Sequence, residues 1–168
     1  VIILTGAGRG FCSGADMNNL ATLQQGASRG GRTSDSVRYV NNAVPGGLSL
    51  SNDYSLRYTY FPTVPKPIIA AINGPAAGLG MIMSLYCDVR FASDAAVFST
   101  AFARRGLIAE HGISWMLPKL IGLQNALDLT LTARKFTAVE AKDMGLVSKV
   151  FPMESFMDDV NAYAMEMA

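Results

Sequence analysis

Pro65-Lys66-Pro67-Ile68-Ile69-Ala70-Ala71-Ile72-Asn73-Gly74-Pro75-Ala76-Ala77-Gly78-Leu79-Gly80 is the stretch that decides the fold class. The prolines stop any helix that precedes them, because each pushes the residue before it out of the helical region. Ile68 to Ile72 is a short apolar run without polar alternation, as in a strand buried on both faces. Asn73-Gly74-Pro75 turns the chain. Ala77-Gly78-Leu79-Gly80 then opens a helix expected to reach about Tyr86. A doubly buried strand followed at once by a helix belongs to an α/β fold with largely parallel pairing.

Upstream, Val1 to Thr5 is a second β-branched run, and it ends in Gly6-Ala7-Gly8-Arg9-Gly10-Phe11-Cys12-Ser13-Gly14-Ala15-Asp16. Asp16 suits the N-cap of a short helix through Leu23. Residues 26–53, rich in Gly, Ser, Asn and Arg, read as a mobile loop with one weak helix near Val37 to Asn41. Tyr54 to Phe61 reads as helical. Downstream, strands are expected at 88–92, 96–98 and Leu146 to Phe151. Helices are expected at Ser114 to Leu120, Leu123 to Thr132, Ala138 to Met144 and from Met153 onward. No internal sequence repeat is visible, and residues 1–168 form one domain. A chain that opens inside a strand is expected to be a partial one.

Composition narrows the function classes. Half of the 168 residues are apolar, and a chain of this length buries roughly 70% of its unfolded surface. Fourteen basic against thirteen acidic residues leave a net charge of +1, which argues against a nucleic-acid sleeve or a basic membrane patch. No apolar run is long enough for a membrane span. The only cysteines are Cys12 and Cys87 and the only histidine is His111, so a Cys/His zinc site is not expected. Reduced thiols of this kind suit a cytoplasmic protein.

The two glycine-rich corners do not fit nucleotide loops. Counting from Gly6 and Gly8 puts Phe11 at the third glycine position of a dinucleotide fingerprint, and counting from Gly78 and Gly80 puts Met83 there. No Gly-Lys-Ser/Thr follows either corner. The corners suit oxyanion binding instead, because glycine lets backbone N–H groups turn into a cavity. Two corners at adjacent strand ends can aim one N–H each at a single carbonyl oxygen.

Several segments, in order, carry a family resemblance. Leu4 to Asp16 resembles the first motif of the enoyl-CoA hydratase/isomerase family, the crotonases, and Pro65 to Gly80 resembles its second. Cys87-Asp88-Val89-Arg90-Phe91-Ala92, Ala103 to Ile108, Ser114 to Pro118 and Thr137 to Val147 continue the match. The resemblance implies the crotonase-like spiral of ββα units, a fold shared with Clp-type peptidases. It implies truncation at both ends, with N-terminal strands and C-terminal helices of the family missing. It also implies an acyl-CoA substrate, with coenzyme A as part of that substrate rather than a cofactor. A homotrimer or hexamer is implied for a full-length form.

The resemblance places the two oxyanion donors at the N–H groups of Ala15 and Leu79, flanked by Gly14, Gly78 and Gly80. It places the adenine end of CoA along Cys12, Ser13, Gly14, Ala15, Asp16 and Met17. Arg residues at 26–38 read as a solvated loop sooner than as CoA phosphate ligands. The hydratases of this family carry two glutamates, and the matching positions here are Ile82 and Phe102. Both are apolar, which puts hydration in doubt. Glu110 is the candidate replacement. Burial beside Trp115 and Phe102 is expected to raise its pKa and make it a proton carrier. Ile82, Phe102 and Trp115 thereby join the expected substrate site. Moving a proton along an enoyl chain needs one base, so the pattern favours double-bond isomerisation over hydration. His111 is able to reach Glu110, yet a lone histidine reads more simply as structural. Asp88 braces a strand start, and Asp128, Glu140 and Asp143 read as solvated helix charges.

Two other readings stay open. A serine hydrolase of the Clp type would place its nucleophile near Gly78, but no Gly-x-Ser-x-Gly exists and His111 lacks a serine partner in the sequence. A non-catalytic CoA-binding or oligomerisation module would explain Ile82 and Phe102 without any proton carrier.

Overall fold

A computed structural model describes residues 1–14 and 60–168. The expected loop at 26–53, the short helix after Asp16 and nearly all of the Tyr54–Phe61 helix lie outside the described residues. A short 3-10 turn at Phe61–Thr63, with Pro62 in its first turn, leads into the strand that organises the fold.

That strand is β2, Ile68–Ile72, and all five of its residues are buried. Its alternate side chains enter different cores. Ile68, Ala70 and Ile72 belong to the larger cluster, whereas Ile69 and Ala71 join Phe91, Phe156, Val160 and Ala164. This is why the run shows no polar alternation. On one side β2 pairs in parallel with β1 (Ile2–Thr5), Ile2 opposite Ile68. On the other it pairs in parallel with β4 (Val89–Ser93), which in turn pairs with β7 (Lys149–Phe151). The resulting four-stranded sheet has the order β1-β2-β4-β7.

A smaller sheet has the order β3-β5-β6, built from β3 (Ala76–Ala77), β5 (Val97–Ser99) and β6 (Phe136–Thr137). Helices α1 (Leu79–Leu85), α2 (Ile113–Ile121), α3 (Leu123–Thr132), α4 (Ala138–Asp143) and α5 (Phe156–Glu166) complete the described chain. The winding is repetitive even though the sequence is not. β2 enters the large sheet, β3 the small one, and α1 follows; β4 and β5 then do the same before α2 and α3. The first turn of this spiral is β1 followed by Cys12, which makes an isolated parallel bridge to Ala76 of β3. Among the described strands the pairing is largely parallel as expected; β5 and β6 are antiparallel, with Phe98 and Phe136 stacked at 5.3 Å.

Helix α5 closes the outer face of the large sheet. Its Tyr163 meets Phe91 edge to face at 4.8 Å, and its Phe156 and Val160 are buried against β2 and β4. Asp88 does brace a strand start, because its Oδ2 accepts the Ile68 N–H at 2.7 Å. Arg90 donates to the carbonyls of Cys87 and Leu146 at 2.6 and 2.8 Å, tying β4 to the segment before β7. Burial holds the Arg90 pKa below its ordinary value. Asp128 and Glu140 are less isolated than expected: Arg134 holds both at 2.9 Å, and Glu140 completes a capping box with Thr137 at the start of α4.

Burial pushes the Cys87 thiol from 9.0 up to about 12, against the opposing pull of Arg90. The thiolate is the reactive form, so native Cys87 should resist iodoacetamide at pH 9.0, and unfolding should expose it to rapid labelling. An unfolded chain releases this proton near pH 9.0 and the folded one near 12, so the stabilisation is full below pH 9 and is lost as pH rises toward 12. Equal labelling rates in native and denatured protein would remove the buried-thiol assignment.

Candidate functional site

The two glycine corners pack directly on each other. A Cβ at Gly6 would strike the Gly10 carbonyl and Phe11, one at Gly74 would strike the Arg9 carbonyl, and one at Gly80 would strike Cys12. Glycine is required at Gly74 and Gly80 because the corners approach backbone to backbone, and at Gly6 because the first corner folds back on itself. The contact is stitched by hydrogen bonds. The N–H groups of Phe11 and Cys12 both donate to the Pro75 carbonyl at 3.1 Å, and Ala77 N–H donates to the Cys12 carbonyl at 2.9 Å. Gly78 N–H donates to the Ser99 carbonyl at 3.1 Å, fixing the corner to β5.

Asn73 latches the arrangement from below. Its Oδ1 accepts Gly6 N–H at 3.0 Å and its Nδ2 donates to the Gly8 carbonyl at 2.9 Å. The side chain is buried with only 6% of its surface exposed, so removing it would leave the Gly6 and Gly8 backbone groups without these partners. In the sequence Asn73 reads only as part of a turn; a buried amide between two glycine corners is the signal that marks the latch.

Gly78, at φ 52 and ψ −119, turns the chain into α1 in a conformation that residues with a Cβ rarely adopt. Leu79 is the first helical residue, so no carbonyl within the helix accepts its N–H. Gly14, at φ 101, brings the first corner to this same point: a Cβ there would lie 3.0 Å from the Ala77 carbonyl oxygen and 3.8 Å from Leu79 N. Ala15, Asp16 and Met17 lie outside the described residues. Ser13 is exposed and Cys12 half-buried at the rim of the corner.

The proton-carrier positions are arranged differently from expectation. Ile82 is fully buried and Phe102 is 8% exposed, both inside the larger core. Glu110 is not buried beside Trp115 and Phe102. Its side chain keeps 42% of its exposure. Trp115 is 49% exposed, with the Lys119 ammonium 3.5 Å above its ring. A left-handed turn separates Glu110 from α2: Glu110 before it keeps its exposure, and of the α2 residues after it Ile113 enters the core while Trp115 stays at the surface. His111 (φ 54) and Gly112 (φ 77) make that turn. Such a φ costs a residue with a side chain about 1–2 kcal/mol. Tyr86 Oη donates to the His111 carbonyl at 2.8 Å and packs where a Gly112 Cβ would otherwise sit. The Nε2 of His111 lies 3.4 Å from Oε2 of Glu110.

The family model for enoyl-CoA hydratase/isomerase matches residues 1–168. The chain belongs to the enoyl-CoA hydratase/isomerase family. Within it, a peroxisomal Delta(3,5)-Delta(2,4)-dienoyl-CoA isomerase of Arabidopsis thaliana is 39% identical over 95% of this chain and 55% of its own. A solved enoyl-CoA hydratase of Mycobacterium marinum is 42% identical, with a TM-score of 0.66 over 100% of this chain and 65% of its own. The enoyl-CoA hydratase of Bacillus anthracis superposes with a TM-score of 0.74 at 33% identity, over 98% of this chain and 57% of its own. The chain thus spans about half the length of the curated relatives it matches. The crotonase fold and its ββα winding are those of this enzyme family. Among the described residues, no helix is long and apolar enough to cross a membrane.

Proposed function

We propose that this enoyl-CoA hydratase/isomerase family chain acts on an acyl-CoA thioester and shifts a double bond along its acyl chain. The N–H groups of Ala15 and Leu79 hold the thioester oxygen as it gains negative charge, and Glu110 moves the proton. The observation that carries this reading is the pairing of two features. The glycine corners converge on the Leu79 amide, while the positions of the two hydratase glutamates hold buried Ile82 and Phe102. One solvent-accessible carboxylate is enough for removing a proton at one carbon and returning it at another. Adding water requires a water held and activated, and neither apolar position offers that. The dienoyl-CoA isomerase relative supports the same direction.

The relatives named as hydratases favour hydration as the second reading. The test is product analysis of the intact protein on a 3-enoyl-CoA and a 2-enoyl-CoA. The expected outcome is interconversion of the two enoyl isomers. Formation of 3-hydroxyacyl-CoA alone would replace isomerisation with hydration, and tight CoA binding without turnover would reduce the chain to a binding module. The cytoplasmic, trimeric form expected from sequence belongs to this proposal as well. Family members operate in more than one compartment, since relatives are named peroxisomal and mitochondrial.

A further inference from the structure

Adjacent side chains rarely meet. On a strand they point to opposite faces, and on a helix neighbours one apart diverge around the axis. Glu110 and His111 are adjacent, yet Nε2 of one approaches Oε2 of the other to 3.4 Å. The left-handed backbone at His111, φ 54, is what swings the imidazole back toward the preceding carboxylate. Other groups hold that backbone in place. Tyr86, at the end of α1, donates to the His111 carbonyl, and Gly112 continues the turn where only glycine leaves room for the Tyr86 hydroxyl. A strained residue held by a buried tyrosine and a neighbouring glycine is more than an accident of a surface loop.

We propose that His111 is a positioning residue for Glu110. Its imidazole holds Oε2, fixing the carboxylate rotamer, and leaves Oε1 to take the proton from one substrate carbon and return it to another. This role rests on the proposed isomerase reading of Glu110. It adds that a half-exposed glutamate, otherwise free to sample several rotamers, works from one of them.

The experiment uses the intact protein with 3-enoyl-CoA as substrate. His111→Asn and His111→Gly both accommodate a left-handed backbone and both remove the ring. Each is expected to lower kcat roughly ten- to hundredfold, with little change in KM. His111→Gln, which keeps an N–H donor of similar reach, is expected to recover part of that loss. Adding His111→Asn to Glu110→Gln is expected to slow the enzyme no further, because the two act as a unit. Wild-type kcat in both His111→Asn and His111→Gly, alongside a slow Glu110→Gln, overturns the positioning role alone. So does an additive double variant. A fully active Glu110→Gln instead overturns the isomerase reading on which the role rests.

Discussion

Glu110→Gln should lower kcat for double-bond isomerisation by roughly 10²- to 10⁴-fold, the usual contribution of a positioned general acid–base group. Gln has the same shape as Glu and keeps a carbonyl oxygen that His111 is able to face, so the turn at 110–112 and the start of α2 should stay in place. What it loses is the proton. The sequence holds no glutamate at positions 82 and 102, and the structure buries Ile82 and Phe102 in the core, so neither position supplies a substitute. KM should change little, because in the proposed reading the thioester is held by backbone donors that the substitution does not touch. Exchange of the substrate α-proton with deuterated water should fall in step with kcat. An unchanged kcat would take the proton-carrier role away from Glu110 altogether.

The second large effect should come from Gly80→Ala. Helix propensity alone favours the change, since alanine in a helix is about 0.8–1.0 kcal/mol better than glycine. The close approach reverses that sign. The added methyl would meet the Cys12 backbone, with Cys12 Cβ at 2.6 Å and its carbonyl carbon at 2.8 Å. Cys12 has no room to retreat, because its N–H and carbonyl are both engaged with the 75–77 segment. The corners must part, at a cost of roughly 1–3 kcal/mol in stability, as for other overpacked sites. Parting them also separates Gly14 from the Leu79 amide. Loss of one oxyanion donor costs about 10²- to 10³-fold in kcat, so activity should fall further than stability alone predicts. Gly106→Ala is the control. Its φ of 66 adds a backbone strain that helical Gly80 does not have, but the added Cβ meets nothing within 4 Å. It should lose about 1–2 kcal/mol of stability and keep its kinetic constants. A Gly80→Ala enzyme with the melting temperature and kcat of the parent would show that the corners do not act as one piece.

Much of the fold is legible in the sequence because burial leaves a mark there. Ile68–Ile72 has no polar residue because both of its faces are covered. The run from Leu123 to Thr132 forms α3 over that range, with Ala126 and Leu129 buried about one helical turn apart. What escapes is short or relational. β3 and β6 have two residues each, too few for any alternation to show. The alternate assignment of strands to two sheets is a matter of partners, which a sequence does not carry. The site divides the same way. The glycine corners are visible because close backbone contact excludes every other residue. The surroundings of Glu110 are not, because nearness to Phe102 and Trp115 along the chain does not place them together. Phe102 is buried in the core, whereas Glu110 and Trp115 stay exposed, Trp115 under Lys119.

The repeated ββα winding has a consequence for how such a chain can vary. Each step of this staircase hands one strand to each wall, and the amide of one step faces the tread above it. The meeting of Gly14 with Leu79 is therefore set by the pitch of the screw. Extra residues between β1 and Gly14, or between β2 and Leu79, would rotate one tread against the next and pull Gly14 away from the Leu79 amide. Each of these two stretches should therefore hold its count to the residue.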